Sequence, residues 1–242
     1  MNPPELEGCF TGTFAYLAGA VRRCDEAEGL AGARLLDGAM LDGLLLRFAE
    51  RYPGGEHRAL VSMWSQWHFA AVVIPAVAAI LLARRELPVA LPEARFALHD
   101  DGRTAAILLS PGLELAQADR RGRFDTLVQG HLVPLIRLLA THFPVSPRLI
   151  WANAAVRFAW AVQQCAARPE ADRDGVAEAE ELLTTALTPA GARNPLHDAL
   201  RPSPLVAIEA CQRRVCCLRY LLPGVADCGS LCPLPPARRA RG

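Results

Sequence analysis

The sequence predicts a mainly helical α+β fold with a small antiparallel β-sheet and a C-terminal cysteine-rich segment. Three observations carry that expectation. Apolar residues recur at helical spacing over most of the chain. Two short runs, Arg95–His99 and Thr104–Leu109, flank an Asp-Gly turn, the strongest short-range hairpin signal. Four of the eight cysteines fall within residues 216–232.

Element by element, the first 50 residues read as helix, with Leu35, Leu36, Met40, Leu44 and Phe48 on one face. Tyr52 to Glu56 is a Pro/Gly break, and a second helix follows from about Arg58 to Arg85. The hairpin comes next, closed by Pro111-Gly112. Helical patterning returns over Phe124–His142, Leu149–Ala167 and Glu170–Leu187. Ser203-Pro204 reads as an N-cap with proline at the first helical position, opening a helix that carries Leu205, Ile208, Val215 and a cysteine pair. The domain reading is residues 1–202 as the helical α+β body, 203–235 as the cysteine segment and 236–242 as a frayed tail.

Composition narrows the function classes. The 242 residues are 52% apolar, enough for a real core. Charge is balanced at 26 basic and 25 acidic residues, so nothing points to nucleic acid or to an anionic membrane. Every basic residue is Arg. With no Lys, a Walker A loop, a pyridoxal-phosphate Schiff base and any catalytic-lysine mechanism are excluded. The longest apolar run, Phe69–Ala83, is shorter than the roughly 20 residues a membrane span needs, so a buried helix is expected. The acidic N-terminus has no apolar run, and the expectation is a cytosolic protein. In a reducing cytosol, clustered cysteines bind metal or do redox chemistry more often than they pair.

The cysteine pattern is Cys216-Cys217, ten residues, Cys228, three residues, Cys232. Four thiolates this close hold either a [2Fe–2S] cluster or a tetrahedral zinc. Neighbouring side chains on a helix point about 100° apart, so the adjacent pair fits a fraying last turn better than a helix interior. Zinc normally takes two knuckles with wider separation, and a Cys-Cys dipeptide suits it poorly. A Cys228–Cys232 disulfide leaves the dipeptide without a role. Cys9, Cys24 and Cys165 lie far off and read as core or surface thiols; Cys211 is set aside as a ligand.

The stretch from Arg213 to Leu234, with its Cys-Cys pair, ten-residue spacer and closing cysteines, resembles the C-terminal signature of the FhuF-type ferric siderophore reductases. Trp64-Ser-Gln-Trp-His68, Leu149-Ile-Trp-Ala-Asn153 and Asn194-Pro-Leu196 are similar to earlier parts of that family. The family pattern has two residues between its last cysteines where this chain has three, with Leu231 reading as an insertion. The resemblance implies a [2Fe–2S] cluster held by Cys216, Cys217, Cys228 and Cys232. It implies one-electron reduction of a ferric siderophore, with no catalytic acid, base or nucleophile. No Gly-rich dinucleotide fingerprint appears, so the electron is expected from a separate ferredoxin or flavin reductase. Arg213, Arg214 and Arg219 surround the cysteine pair as candidates for docking an anionic chelate or donor, or for steadying an anionic cluster. The alternative reading is a siderophore- or partner-binding protein whose cysteines hold zinc or nothing. Trp151 with Asn153, and Trp64 with Trp67, are candidates for a ligand cleft, though a Trp on a helical face is more often core; His68 and His131 read as core residues and Asn194 as a turn.

Overall fold

The fold is taken from a computed structural model, which describes residues 3–24, 29–118, 121–188, 191–197, 199–201 and 210–235. Its centre is one long helix. The helices are α1 (Gly38–Ala49), α2 (His57–Ala83), α3 (Asp125–Leu127), α4 (Val133–His142), α5 (Pro147–Ala166) and α6 (Arg173–Thr184). A turn of π-helix at Val128–Leu132 joins α3 to α4. The strands are β1 (Val21–Arg23), β2 (Leu30–Ala31), β3 (Arg85–Glu86), β4 (Arg95–Leu98), β5 (Thr104–Leu109), β6 (Ala116–Gln117), β7 (Leu200–Arg201) and β8 (Gln212–Arg213).

α2 is apolar nearly all round, the pattern of a helix enclosed by its own protein. It is long and apolar enough to cross a bilayer, yet 72% of its most apolar window is buried inside the fold. Glu56 opens it, its carboxylate accepting from Ala59 N–H at 3.0 Å. Arg84 closes it with a left-handed φ of 53° and an N–H bonded back to the Ala79 carbonyl. α5 packs along α2, and the two form the spine on which the remaining elements sit.

The hairpin forms as the Asp-Gly signal predicts. β4 and β5 pair antiparallel, Phe96 facing Ile107 and Leu98 facing Thr104 with a register shift between. Gly102 turns the chain at φ 79°, and a Cβ there would lie 2.6 Å from the Leu44 carbonyl oxygen, so the position demands glycine. The sheet order is β1-β5-β4-β2, with β1 parallel to β5 and the rest antiparallel.

The helix expected over the first 50 residues is corrected: among the described residues there, only Gly38–Ala49 is α-helical. Upstream lie 3-10 turns and the strands β1 and β2. Gly29, at φ 79°, shows why. It crosses so close to Phe96 and Leu108 that a Cβ would clash, and its conformation ends any helix.

A buried polar chain sits between α2, the hairpin and the π turn. The His68 Nδ1 lies 2.7 Å from Thr104 Oγ1, its Nε2 lies 2.9 Å from His131 Nε2, and His131 Nδ1 lies 2.7 Å from the Val89 carbonyl. The carbonyl can only accept, so His131 carries its proton on Nδ1 and accepts at Nε2. His68 then donates from Nε2 and accepts the Thr104 hydroxyl at Nδ1. Every donor has an acceptor with both rings neutral, which makes these satisfied core histidines.

The helix proposed to open at Ser203-Pro204 lies mostly at 202–209, outside the described residues. Its downstream part is corrected. Gln212–Arg213 is strand, paired antiparallel with Leu200–Arg201, and the cysteine pair follows in irregular backbone. The tail at 236–242 also lies outside the described residues. Asn194 makes the expected turn and ties down the end of α6, its Nδ2 donating to the Leu182 and Thr185 carbonyls at 2.6 and 2.9 Å.

Candidate metal centre

β8 delivers the cysteine segment to the N-terminal half of α2 and to α5. Leaving the helix removes the fixed relation of about 100° between neighbours: Cys216 and Cys217 lie in irregular backbone, ahead of a left-handed turn at Leu218. Cys217 is pinned by its own carbonyl, which accepts the Ser62 hydroxyl at 2.7 Å. Ser62 and Ser65 lie on α2, and Asn153 on α5 bridges them to the segment. The Asn153 Nδ2 donates to Ser62 O at 3.1 Å, Ser62 Oγ at 3.1 Å and Ser65 Oγ at 2.9 Å. Its Oδ1 accepts the Arg213 guanidinium at 2.6 Å. Of the motifs Trp64–His68 and Leu149–Asn153, Ser65 and Asn153 therefore belong to the clamp, and Ser62, just ahead of the first motif, completes it.

After Cys217 the chain turns at Leu218, which has a left-handed φ of 62°. A non-glycine residue there costs on the order of 1–3 kcal/mol. The turn aims the Leu218 N–H at the Cys216 sulfur, 3.3 Å away. The turn at Arg219–Leu221 then seats against the loop before α2, where Glu56 N–H reaches the Leu221 carbonyl.

Cys228 and Cys232 close the segment. The three residues between them, Gly229–Leu231, form a 3-10 turn, with Cys232 N–H bonded to the Gly229 carbonyl at 3.1 Å. The extra Leu231 is thus absorbed into regular backbone and packs against the core. Gln212 on β8 donates to the Cys232 carbonyl at 3.1 Å, fixing the far end of the loop.

The sulfurs have an inner and an outer edge. Cys217 and Cys232 are buried, whereas Cys216 and Cys228 are half-buried. The Cys217 and Cys228 sulfurs stand 3.7 Å apart. Two thiolates bound about 2.3 Å from one tetrahedral metal lie about 3.8 Å apart, so this pair has the spacing of two ligands on one metal. The Cys228 thiol hydrogen-bonds to Cys217 and holds its pKa below the ordinary thiol range, and Arg213 and Arg219 add to the effect. The same contact pushes Cys228 up. Cys216 is raised by burial. As they stand, no three His, Cys, Asp or Glu side chains among the described residues close on a metal ion.

Three guanidinium groups lie near enough to the sulfurs to interact with them electrostatically: Arg157 from α5 with Cys217, Arg213 from β8 with Cys216, Cys217 and Cys228, and Arg219 from the turn beyond with Cys217. Each has a buried Nε–H without a hydrogen-bond partner. Among the described residues none of the three pairs with a carboxylate. Buried donors and charges left this way are costly unless an anion fills the site. A four-thiolate iron–sulfur cluster is such an anion, and its sulfurs accept hydrogen bonds. The donor set, the sulfur spacing and the orphaned donors fit that group.

Some candidates fall elsewhere. Arg213 is only 2% exposed, turned inward to Asn153 and the sulfurs, while Arg214 is exposed. Trp64 is core, its Nε1–H on the Gly102 carbonyl. Trp67 is instead at the surface beneath the Arg103 guanidinium, 4.7 Å from the ring centre. Cys9, Cys165 and Cys211 are buried and Cys24 half-buried. The sequence reading passed over Ser62 and Arg157. The signal was present: a polar residue inside an apolar helical run, as in Ala154-Ala-Val-Arg-Phe-Ala-Trp160, has to meet something polar when buried.

Comparison with known proteins agrees with this geometry. Residues 62–204 match the family described as ferric iron reductase FhuF-like transporter, and residues 213–234 match the FhuF 2Fe-2S C-terminal domain. The ferric siderophore reductase of Escherichia coli (strain K12) is 29% identical over 182 residues, which are 72% of this chain and 65% of that protein. The chain thus aligns with just under two thirds of that relative's length. The first match alone covers more than half of the chain and includes most of α2 and all of α5. By that match and by the cysteine segment it positions, the chain belongs to the FhuF-like ferric iron reductase family and carries that family's 2Fe-2S C-terminal domain.

Proposed function

We propose that this protein is a cytoplasmic ferric-siderophore reductase, with Cys216, Cys217, Cys228 and Cys232 as the ligands of its [2Fe–2S] cluster. The observation that carries the reading is the cysteine segment itself, clamped by Ser62 and Asn153 and flanked by three guanidinium groups whose buried Nε–H donors have no partner. The name of the E. coli relative supplies the substrate class. When bound, the cluster supplies a one-electron donor. The residues around it do the rest. Ser62 and Asn153 fix the inner edge, Gln212 fixes Cys232, and the half-buried Cys216 and Cys228 form the edge nearest solvent, where an electron leaves. Reduction converts chelated Fe(III) to Fe(II), which hard oxygen donors hold less tightly, so iron is released without acid–base chemistry. Arg214 and Arg219, which reach the surface more than Arg213 does, are the residues proposed to dock an anionic chelate or the electron donor. The donor is a separate ferredoxin or flavin reductase.

Cys217→Ser tests the reading. The variant is expected to lose visible absorption and ferric-hydroxamate reductase activity while keeping its helical circular dichroism. Activity that survives the substitution would remove the cluster from the electron path. A colourless wild-type protein with one zinc per chain would establish the binding-protein alternative instead.

A further inference from the structure

α5 presents Asn153 and, one turn later, Arg157 towards the cysteine segment. Asn153 has a full set of partners. Arg157 does not: its Nε–H is buried and unpaired, and among the described residues no carboxylate meets it. Burial pulls its pKa down to about 10, with Arg213 and Arg219 adding like-charge repulsion, while the Tyr16 phenol and the Cys217 thiol act in the opposite direction. It stays charged at neutral pH. Three neighbouring cations, each with a buried and unpartnered Nε–H, repel one another, and no core-building role accounts for that arrangement.

The charge count explains it. Four thiolates, two sulfides and two ferric ions sum to two negative charges, and reduction adds a third. We propose that Arg157, from outside the cysteine segment, is the third arm of a guanidinium cage that stabilises the reduced cluster and raises its potential. This rests on the cluster reading given above. The electron enters from the external ferredoxin or flavoprotein donor and leaves to ferric iron, and no bond to Arg157 forms or breaks. Arg157 is a positioning residue that acts through charge and through its Nε–H. It also joins the helical body to the redox centre, so the centre's potential is set partly by an element remote from the cysteines in sequence.

The test is a spectroelectrochemical titration of the cluster-loaded protein. Arg157→Gln removes the charge at similar volume. The equilibrium constant for reduction is expected to fall about tenfold, a shift of about 59 mV to lower potential for one electron. Arg157→Lys keeps the charge and is expected to recover most of that shift. Arg148→Gln, exposed in the first turn of the same helix, is expected to change nothing. An Arg157→Gln variant with full iron and sulfide content and an unchanged potential would overturn the cage. Should that variant not fold, Arg219→Gln at a half-buried position carries the same expectation, and an unchanged potential there is equally fatal. Wild-type protein without iron would instead sink the cluster reading.

Discussion

Asn153→Ala strikes the joint between the helical body and the cysteine segment. The side chain is fully buried and bonds to Arg213, Ser62 and Ser65. Losing an acceptor for a buried guanidinium costs about 1.5–3 kcal/mol, and losing two neutral hydrogen bonds costs about 1 kcal/mol each. The sum is roughly 3–5 kcal/mol, reduced if Ser62 and Ser65, which already bond to each other, take up the slack. In a chain of this length each kcal/mol moves Tm by about 2–4 °C, so the expected fall is roughly 6–20 °C. Urea unfolding followed by far-ultraviolet circular dichroism gives the free energy, and iron content after gel filtration reports on the cysteine segment. Asn153→Asp keeps the acceptor facing Arg213 and adds a countercharge, so it should recover at least half of the loss. If Asn153→Ala costs less than about 1 kcal/mol and retains its iron, the clamp does not hold the segment.

Three further outcomes follow. The neutral His68–His131 pair ties stability to pH. Burial, reinforced by the neighbouring ring, lowers His68 well below the usual histidine range, and burial takes His131 to about 4. Both folded pKa values are depressed, so the stabilisation is complete above the unfolded value of about 6.5 and drains away as pH falls towards 4. For His131 the loss is about 3 kcal/mol, and urea midpoints between pH 7.5 and 4.5 should fall more steeply for wild type than for His131→Asn; parallel slopes would contradict the neutral chain. Gln212→Ala removes the bond to the Cys232 carbonyl, worth about 0.5–1.5 kcal/mol, and should speed cluster loss to a chelator up to about tenfold, with an unaltered rate showing that Cys232 is held some other way. Deleting Leu231 removes one residue from the 3-10 turn and a core contact, so lower thermal stability is expected, and a variant as stable as wild type would show that the turn is dispensable.

Much of the body was legible because its signals are local. The run from Arg58 to Arg85 and the Asp-Gly hairpin are specified by periodicity and by one turn, and each sits where those signals put it. The N-terminal reading failed at Leu35 and Leu36, whose spacing suits a helix but whose neighbours do not. Gly29 and Gly19 force left-handed turns, and β1 gains its partner, β5, from more than eighty residues away. Helical periodicity also misled at Val215, where the cysteines leave a strand. That strand exists only because Leu200–Arg201 offers an edge, which no local window reveals. The four cysteines announced a site, but its support is three-dimensional. Ser62 and Asn153 hold the segment from two other helices, Asn153 bonding to Arg213, and Arg157 adds its charge from α5; the Leu149–Asn153 motif marked Asn153, whereas only a polar residue misplaced in an apolar run hinted at Ser62 and Arg157.

The central claim is that the cysteine segment carries a [2Fe–2S] centre. Iron and acid-labile sulfide analysis of anaerobically purified protein, with electron paramagnetic resonance after dithionite reduction, addresses it most directly. Two irons and two sulfides per chain, a reddish-brown colour that bleaches on reduction and a one-electron paramagnetic signal are expected. A colourless protein, free of iron and sulfide, with zinc bound or with four unligated thiols would contradict it.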